Sequence, residues 1–472
     1  MKQFKFLVPL LVLAAILLGS FSSPVNAAAK HYEIATDETF APFEFQNSKG
    51  DLIGIDMDIL KAIAKDQGFT YTVKPMGFNA AVQALEGGQV DGVIAGMSIT
   101  DERKNKFDFS EPYFDSGVVM AIKKDNNSIK SYEDLKGKKV AVKTGTEGYA
   151  FAEKNKDKYG YTLVPFDDSA SMYEDVKGGN SAACFDDYPV LAYGVKQGNG
   201  LKIVTEKESG GQYGFAVKKG ENKELREAFN KGLVNIKNSG EYEKILDEYI
   251  GSDTKADTFW DTLMASMPSL LLGLWNTIKL TVISLVFAAI LGLLFGFLKV
   301  SRSKWLRGIA TVYVDVFRGI PLIVLAFFIY FGIPQAFNFR MDPSVAAVIT
   351  LSLNAGAYIT EIIRGGILAI DKGQMEAARS LGLPYGTSML KIILPQAVRV
   401  MVPSFINQFV ITLKDTSIMS IIGIVELTQS GKIIIARTFE TSGIWLVVAI
   451  MYLIVITALT KLSNVLERRL GK

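Results

Sequence analysis

Hydrophobic and polar residues follow one another differently in the two halves of the chain. From residue 31 to about residue 250, short apolar runs of strand length alternate with amphipathic stretches of helix length. The clearest helix is predicted over "IGIDMDILKAIAKDQG", where Ile55, Ile59 and Ile63 recur at helical spacing and Gly68 ends the run. A regular alternation of strands and helices is typical of an α/β fold, so we expect sheets covered by helices.

Long uninterrupted apolar runs begin only after Gly273, and they indicate membrane-spanning helices. Each run is close to the ~20 residues that a helix needs to cross a bilayer. The predicted spans are 273–298, 309–334, 343–368, 397–413 and 443–462. Residues 273–472 are therefore predicted to form an all-α transmembrane domain of five helices. A linker and interfacial segment is predicted before it, at 252–272.

Basic residues after the first and last spans indicate the orientation, because positively charged loops favour the cytoplasmic side. Lys299, Arg302, Lys304 and Arg307 follow the first span, and the chain ends in "ERRLGK". If residues 30–251 lie outside the cell, five spans place the basic residues after the first span and the basic C-terminus in the cytoplasm. We therefore expect a multi-pass protein of the cell membrane, with an extracellular first domain and a cytoplasmic C-terminus.

Residues 1–29 are predicted to be a signal peptide. Lys2 and Lys5 precede the apolar run "FLVPLLVLAAILLG", and the small residues of "VNAAAK" offer cleavage after Ala27 or Ala29. A retained signal anchor is the alternative. In either case we expect the domain from Lys30 onward to lie outside the membrane, in a bacterium of the Gram-positive type.

Charge and composition argue against several classes of function. The net charge of +3 gives no signal for binding nucleic acid. The chain has one cysteine, Cys184, and one histidine, His31, so we expect neither an intrachain disulfide nor a metal site nor histidine-based catalysis. No phosphate-binding GxxxxGKS/T motif occurs, so we expect this chain not to bind ATP by itself. We also expect no other cofactor on this chain and no enzymatic function.

The first half resembles the substrate-binding proteins of ABC importers for polar amino acids, and most closely the glutamine-binding type. The resemblance runs from about residue 32 to residue 251. It is carried by "ATDETFAPFEF", "GIDMDILKAIAK", "KPMGFNAAVQAL", "AGMSITDERKNKFDFSEPY", "VAVKTGT" and "DDYP". It implies two α/β lobes joined by two crossing strands, with the ligand in the cleft and hinge closure around it. The first lobe is expected at about 31–115 and 212–250, and the second at about 116–211.

The same resemblance assigns the residues that would bind a free amino acid. A buried amino acid needs a positive partner for its carboxylate and a negative partner for its ammonium group. By this resemblance, the ligand's carboxylate is bound by Arg103 and Ser98. Its ammonium group is bound by Asp187 and the carbonyl of Gly96. Its aliphatic part lies between the rings of Phe40 and Phe78.

The resemblance also bears on the ligand's side chain. Asp37 and Lys143 match the pair that accepts from and donates to a carboxamide, which favours glutamine. Asp186 and Glu147 stand where the glutamine-binding type has histidine and glycine, and both add negative charge. A cationic amino acid would gain if both faced the ligand, although Lys143 would repel it. Glutamine is the preferred ligand, and asparagine, glutamate and a cationic amino acid remain alternatives.

The polar stretch 371–395 lies between predicted spans, on the cytoplasmic side. Its "EAARSLG" and "IILPQA" resemble the coupling loop of ABC importer permeases, in which two short helices dock on the ATPase. A first helix is predicted at Met375 to Ser380, and a second from Met389 to an end at Pro395. The resemblance assigns ATPase coupling to Glu376, Ala377, Ala378 and Gly382.

These observations favour a receptor and a permease fused in one subunit of an ATP-driven amino acid importer. The expected partners are an amino acid, the lipid bilayer, a second copy of the permease and two copies of a separate ATPase that binds ATP and magnesium. A ligand-gated channel of the glutamate-receptor type is a remote alternative. That channel would need membrane segments inserted within the binding domain, whereas here the domain is continuous before the first span. A third alternative is a wall-degrading enzyme or a sensor with a regulatory domain of the binding-protein type. Such a protein would need a catalytic or signalling domain, and no segment remains unassigned for one.

Overall fold

The computed structural model of the chain describes residues 30–208, 211–251, 259–301 and 303–470. The predicted signal peptide at 1–29 lies outside the described residues. So do residues 252–258 of the predicted linker, and Arg302.

The first lobe contains a five-stranded sheet in the order β5-β1-β6-β15-β7. β1 runs parallel to β5 and β6, and β15 is antiparallel to β6 and β7. A smaller sheet, β2-β3-β4, lies beside it. The strands of these two sheets are β1 (His31–Thr36), β2 (Thr39–Phe40), β3 (Glu44–Gln46), β4 (Leu52–Ile53), β5 (Thr70–Pro75), β6 (Gly92–Val93), β7 (Phe107–Phe109) and β15 (Ala216–Lys218).

The second lobe contains another five-stranded sheet, in the order β11-β10-β12-β9-β13. Its strands are β9 (Val118–Lys123), β10 (Lys139–Lys143), β11 (Thr162–Phe166), β12 (Ala183–Asp187) and β13 (Leu201–Ile203). The short strands β8 (Phe114–Asp115) and β14 (Gln212–Tyr213) pair where the chain leaves the first lobe and returns to it. The lobes are thus linked twice, which permits hinge motion.

Helices cover both sheets, as the alternating pattern predicted. The α-helices of this domain are Ile55–Gln67, Phe78–Glu86, Asp101–Lys104, Glu147–Tyr159, Ser169–Lys177, Tyr188–Lys196, Lys223–Asn238 and Glu241–Leu246. The apolar stripe of Ile55–Gln67 is buried, since Ile55, Ile59 and Ile63 are fully enclosed. Gly68 ends this helix in the left-handed region at φ 70°, which glycine adopts without steric cost.

The second half is helical. Its α-helices are Phe259–Lys299, Lys304–Gly319, Leu322–Phe327, Ile333–Phe337, Pro343–Leu368, Lys372–Ser380, Tyr385–Ser388, Leu394–Asp415, Leu427–Thr438 and Thr441–Leu470. By length and apolar composition four described helical segments can cross a membrane, and a bent pair at 304–337 makes a fifth. A two-lobed α/β domain followed by a helical membrane domain is confirmed.

The second predicted span, 309–334, is not one straight helix. The chain turns by 103° between Lys304–Gly319 and Leu322–Phe337. Pro321 explains the break, because it has no backbone N–H and disfavours helical geometry in the residue before it. Ile320 accordingly has an extended backbone, with φ −88° and ψ 129°.

The first membrane helix begins earlier than predicted. It runs without interruption from Phe259 to Lys299, so residues 259–272 belong to the helix rather than to a separate interfacial segment. Pro268 lies within the helix. Two polar side chains of its early turns, Thr262 and Ser266, are buried.

The stretch between the third and fourth spans forms a helix, a glycine turn and a second helix. The first helix is Lys372–Ser380, and Gly382 makes the turn at φ 81°. The prediction that the second helix ends at Pro395 is wrong. Tyr385–Ser388 continues through a π-helical turn, Met389–Ile393, into Leu394–Asp415. Pro395 lies in the first turn of the helix Leu394–Asp415, where a missing backbone N–H is tolerated.

The two-lobed domain packs directly on the membrane helices. One apolar cluster joins Met76 and Leu85 of the first lobe to Leu325, Met419 and Ile422 of the second half. Phe439, after the helix Leu427–Thr438, lies 6.0 Å from the Tyr173 ring of the second lobe. Both lobes therefore contact the membrane domain.

Candidate ligand-binding cleft

Three of the predicted binding residues stand at the ends of strands that face the cleft. Asp37 follows β1, Lys143 ends β10, and Asp187 ends β12. β10 and β12 are parallel, so their carboxyl ends meet at one edge of the second sheet. Such edges are where α/β proteins bind ligands.

A narrow pocket of about 10 Å³ lies between the lobes. It is lined by Phe40, Phe78, Ala95, Gly96, Ser98, Arg103, Lys143, Thr146, Glu147 and Asp187. The lobes are closed over it, because Asn79 of the first lobe donates to Thr144 Oγ1 of the second at 3.0 Å. Seven of the nine predicted ligand-binding residues thus line one pocket.

Arg103 is held in place from both lobes. Its backbone N–H is bonded to the helix cap Thr100 at 3.2 Å. Its guanidinium group donates to the carbonyl of Ser98 at 2.8 Å and to the carbonyl of Gly145 across the cleft. The group also lies 5.3 Å from the centre of the Phe78 ring. Burial lowers the pKa of Arg103, while the nearby carboxylates of Asp187 and Glu147 raise it.

Asp187 has one carboxylate oxygen available to a ligand. The hydroxyl of Tyr213 donates to Oδ2 at 2.7 Å, whereas buried Oδ1 has no hydrogen-bond partner among the described residues. Burial, and then repulsion from Asp186, raises the pKa of Asp187 to about 8. An ammonium group placed here would supply both the missing donor and the compensating charge.

Asp37 and Lys143 form a buried ion pair across the cleft, with Nζ 2.9 Å from Oδ2. The other oxygen of Asp37 accepts from the backbone N–H of Glu38 and from the N–H and hydroxyl of Thr39, at 2.7–3.0 Å. Lys143 Nζ lies 4.8 Å from the centre of the Phe40 ring. The pair gives the wall of the pocket an acceptor and a donor side by side, with no net charge.

Asp186 is not among the residues that line the pocket. The Tyr173 hydroxyl donates to its Oδ2 at 2.6 Å, and the N–H of Asp187 donates to its Oδ1 at 2.9 Å. Successive residues of a strand point to opposite faces, so Asp186 and Asp187 separate. Burial raises the pKa of Asp186.

Glu147, in contrast, does line the pocket. It is the first residue of the helix Glu147–Tyr159, whose cap is Thr146. Its buried Oε2 has no hydrogen-bond partner among the described residues. It lies close to Gly211, where a Cβ atom would come within 2.7 Å of Oε2. One of the two departures from the glutamine-binding pattern therefore adds a carboxylate to the pocket.

The sequence analysis missed several residues that shape this cleft. Asn79 lies in a segment predicted as a helix and Tyr213 in one predicted as a strand, but nothing in their local pattern marks them as cleft residues. Glu44 and Asp56 are both fully buried below the cleft, and burial raises the pKa of each carboxyl group, that of Asp56 to about 6. Asp56 accepts from the N–H of Gly96 at 2.8 Å and so supports the pocket floor.

The predicted coupling residues lie in the helix Lys372–Ser380 and in the turn that follows it. Glu376 and Ala377 are exposed, whereas Ala378 is buried. Leu381, directly before the Gly382 turn, is 82% exposed. Among the described ranges no group of histidine, cysteine, aspartate and glutamate residues could hold a metal ion.

Two families match the chain in succession. Residues 32–252 match the bacterial extracellular solute-binding proteins, family 3, and residues 285–472 match the inner membrane component of binding-protein-dependent transport systems. The chain therefore belongs to the binding-protein-dependent transport systems, with the binding protein and the permease in one polypeptide. Such a permease works with a separate ATPase, and the protein is integral to the membrane.

Similar proteins are permeases of amino acid ABC importers. The glutamine transport system permease protein GlnP of Escherichia coli K12 is 42% identical over 212 residues, which are 45% of this chain and 97% of GlnP. The arginine transport system permease protein ArtQ of Bacillus subtilis is 38% identical over 204 residues, 43% of this chain and 93% of ArtQ. The L-cystine permease protein TcyB of the same species is 40% identical over 215 residues, 45% and 92% of the two chains.

Among solved structures, the open second substrate-binding domain of GlnP from Lactococcus lactis is 46% identical. It covers 48% of this chain and 98% of its own, with a TM-score of 0.39. The two matched families and the permease relatives show that the chain is a fused binding protein and permease of an amino acid ABC importer. The names of the related permeases differ in substrate, so the similarity does not select one.

Proposed function

We propose that the two-lobed domain binds glutamine and delivers it to the fused permease. The observation that carries this proposal is the grouping of Arg103, Asp187 and the Asp37–Lys143 pair around one pocket. Arg103 offers donors for a carboxylate, and Asp187 offers an unpartnered acceptor for an ammonium group. The Asp37–Lys143 pair matches the acceptor and donor that a carboxamide needs.

Phe40 and Phe78 would hold the aliphatic part of the ligand between these polar groups. Both rings line the pocket and are buried. A ligand that separates Lys143 from Asp37 must satisfy both groups, because an unpaired buried charge is costly. Glutamine does so with one amide group.

A cationic amino acid is the second candidate, and the position of Glu147 favours it. With Asp187 ionised, the pocket carries two positive groups, Arg103 and Lys143, against three carboxylates, Asp37, Glu147 and Asp187. The extra negative charge would attract a third positive group. Lys143, paired with Asp37 at the side-chain end, opposes that ligand by like-charge repulsion.

The proposal includes the arrangement in the membrane. The binding domain lies outside the cell and the C-terminus in the cytoplasm, as basic loop residues favour. The permease acts as a homodimer with two ATPase subunits, which dock on the 371–395 loops. The ATPase subunits bind ATP and magnesium. The chain acts as the transport subunit rather than as an enzyme, in a Gram-positive cell membrane.

Calorimetric titration of the purified full chain tests the ligand. The titrants are glutamine, asparagine, glutamate, aspartate, arginine, lysine and histidine. Tight binding of glutamine alone supports the carboxamide assignment. Preference for arginine or lysine would instead assign Glu147 to the ligand's cation, and binding of none would overturn the proposed ligand class.

A further inference from the structure

A second cavity, which we term the vestibule, lies between the cleft and the membrane helices. Its volume is about 440 Å³, within the range of small-molecule sites. Residues from both lobes and from the membrane domain line it. Those that define it here are Asp37, Asn79 and Asp168 of the receptor domain, and Phe327, Gln429 and Lys432 of the membrane domain.

The vestibule is separated from the ligand pocket by only a few side chains. Phe78 lines both cavities. Asp37 lines the vestibule, and its carboxylate is paired with Lys143 in the wall of the pocket. Rupture of that ion pair and rotation of the Phe78 ring would therefore join the two spaces.

Contacts at two places hold the receptor domain on the membrane domain beside the vestibule. The Gln89 side chain donates to the carbonyl of Phe339 at 3.0 Å and accepts from the N–H of Met341 at 2.9 Å. Gln429 donates to Glu38 Oε1 at 2.8 Å. The vestibule is thus a partly open cavity between the two docked domains.

The charges on the two walls of the vestibule are opposite. The receptor side contributes the carboxylates of Asp167 and Asp168, whereas that of Asp37 is already paired with Lys143. The membrane side contributes Lys432, for which no ion pair or hydrogen bond is found in the part of the chain that the structure describes. A zwitterion fits this arrangement, with its ammonium group toward the receptor and its carboxylate toward Lys432.

We propose that the vestibule is a transit site for the amino acid and that Lys432 is a positioning residue that binds its carboxylate there. This inference rests on the proposed importer function. The amino acid leaves Arg103 as the cleft opens and meets Lys432 before it enters the membrane domain. Lys432 thereby replaces the positive partner that the ligand has lost.

The test uses the full chain with its ATPase in proteoliposomes, and the variants Lys432→Gln and Lys432→Arg. Initial uptake rates give KM and the maximal rate, and calorimetry of the same chains gives ligand affinity. We expect Lys432→Gln to lower the maximal rate by about tenfold or more at unchanged affinity. Lys432→Arg should restore most of it, because it retains the positive charge. The matched control is Lys461→Gln, a change of an exposed lysine on the last helix.

Each other outcome has a distinct meaning. Uptake by Lys432→Gln at the wild-type rate would overturn the transit site and leave the importer function standing. Loss of ligand affinity in Lys432→Gln would show a structural role for Lys432 and would also overturn the transit site. Failure of the Lys432→Arg variant to restore transport would do the same. Absence of uptake by the wild-type chain, for every amino acid that it binds, would overturn the proposed function itself.

Discussion

The Nζ atom of Lys143 lies 2.9 Å from Oδ2 of Asp37, although the two residues belong to different lobes. Both side chains are only 2% exposed. The pair therefore lies on the path of lobe opening, on the wall that the pocket shares with the vestibule. Under the proposed function, this pair stabilises the closed state and contacts the ligand's side chain.

Removal of the positive partner should destabilise the receptor domain. Lys143→Met leaves the carboxylate of Asp37 buried without its counter-ion, which typically costs about 3–5 kcal/mol. Thermal unfolding of the full chain, followed in the receptor domain, measures the loss. The double variant Asp37→Asn/Lys143→Met should recover much of it, because no unpaired charge remains. An equal loss of thermal stability in the single and the double variant would contradict a stabilising role of this ion pair.

Ligand affinity should depend on pH through Asp187. Its pKa is raised to about 8, so below that pH the carboxyl group is largely protonated. A bound ammonium group favours the carboxylate, so binding releases a proton there. Affinity should therefore rise with pH by up to about tenfold per unit and level off above pH ~8. Calorimetry in two buffers of different ionisation enthalpy counts the released protons.

Glu147→Gln serves as the control for this pH effect. It removes a neighbouring carboxylate but leaves Asp187 in place, so proton release should persist. Binding with no proton uptake or release across this pH range would exclude Asp187 as the ammonium partner.

Arg340 should help to hold the receptor domain on the membrane domain. Its guanidinium group donates to both carboxylate oxygens of Asp91, at 3.2 and 2.6 Å, and to the carbonyl of Gly88. Arg340→Ala should raise amide hydrogen exchange at residues 87–92 by about fivefold, because loss of a charged bidentate contact costs about 1 kcal/mol or more. Lys219→Ala, which removes an ion pair with Asp108 within the receptor domain, is the control. Unchanged exchange in Arg340→Ala would show that docking does not need this contact.

The Gly382 turn should be required for coupling to the ATPase. Gly382→Ala forces a side chain into φ 81°, which costs about 1 kcal/mol, although a Cβ atom there meets nothing within 4 Å. ATP-driven uptake should fall while ligand affinity stays the same. Gly386→Ala is the matched control, because its Cβ also meets nothing and its backbone is helical. Equal uptake by the two variants would contradict a conformational requirement at 382.

Local patterns account for most of the correct predictions. Apolar length identified the membrane helices, because the bilayer imposes a length that a single segment must satisfy by itself. Helical spacing identified Ile55–Gln67, and the predicted helix Met375 to Ser380 lies within the observed helix Lys372–Ser380. Boundaries were less accurate. The apolar run 309–334 continues across Pro321, so hydrophobic length alone did not reveal the break there, and Met389–Ile393 continues as a π-helical turn into the next helix.

By itself, therefore, the sequence determined the alternation of strands and helices, the membrane spans and the positions of the candidate binding residues. Only the tertiary structure decided that Asp187 and Glu147 line the pocket while Asp186 bonds to Tyr173. It also decided which groups meet across the domains, such as Arg340 and Asp91, which are 249 residues apart. Local periodicity reports how a segment buries its own side chains, whereas these contacts arise from the packing of segments that are distant in the chain.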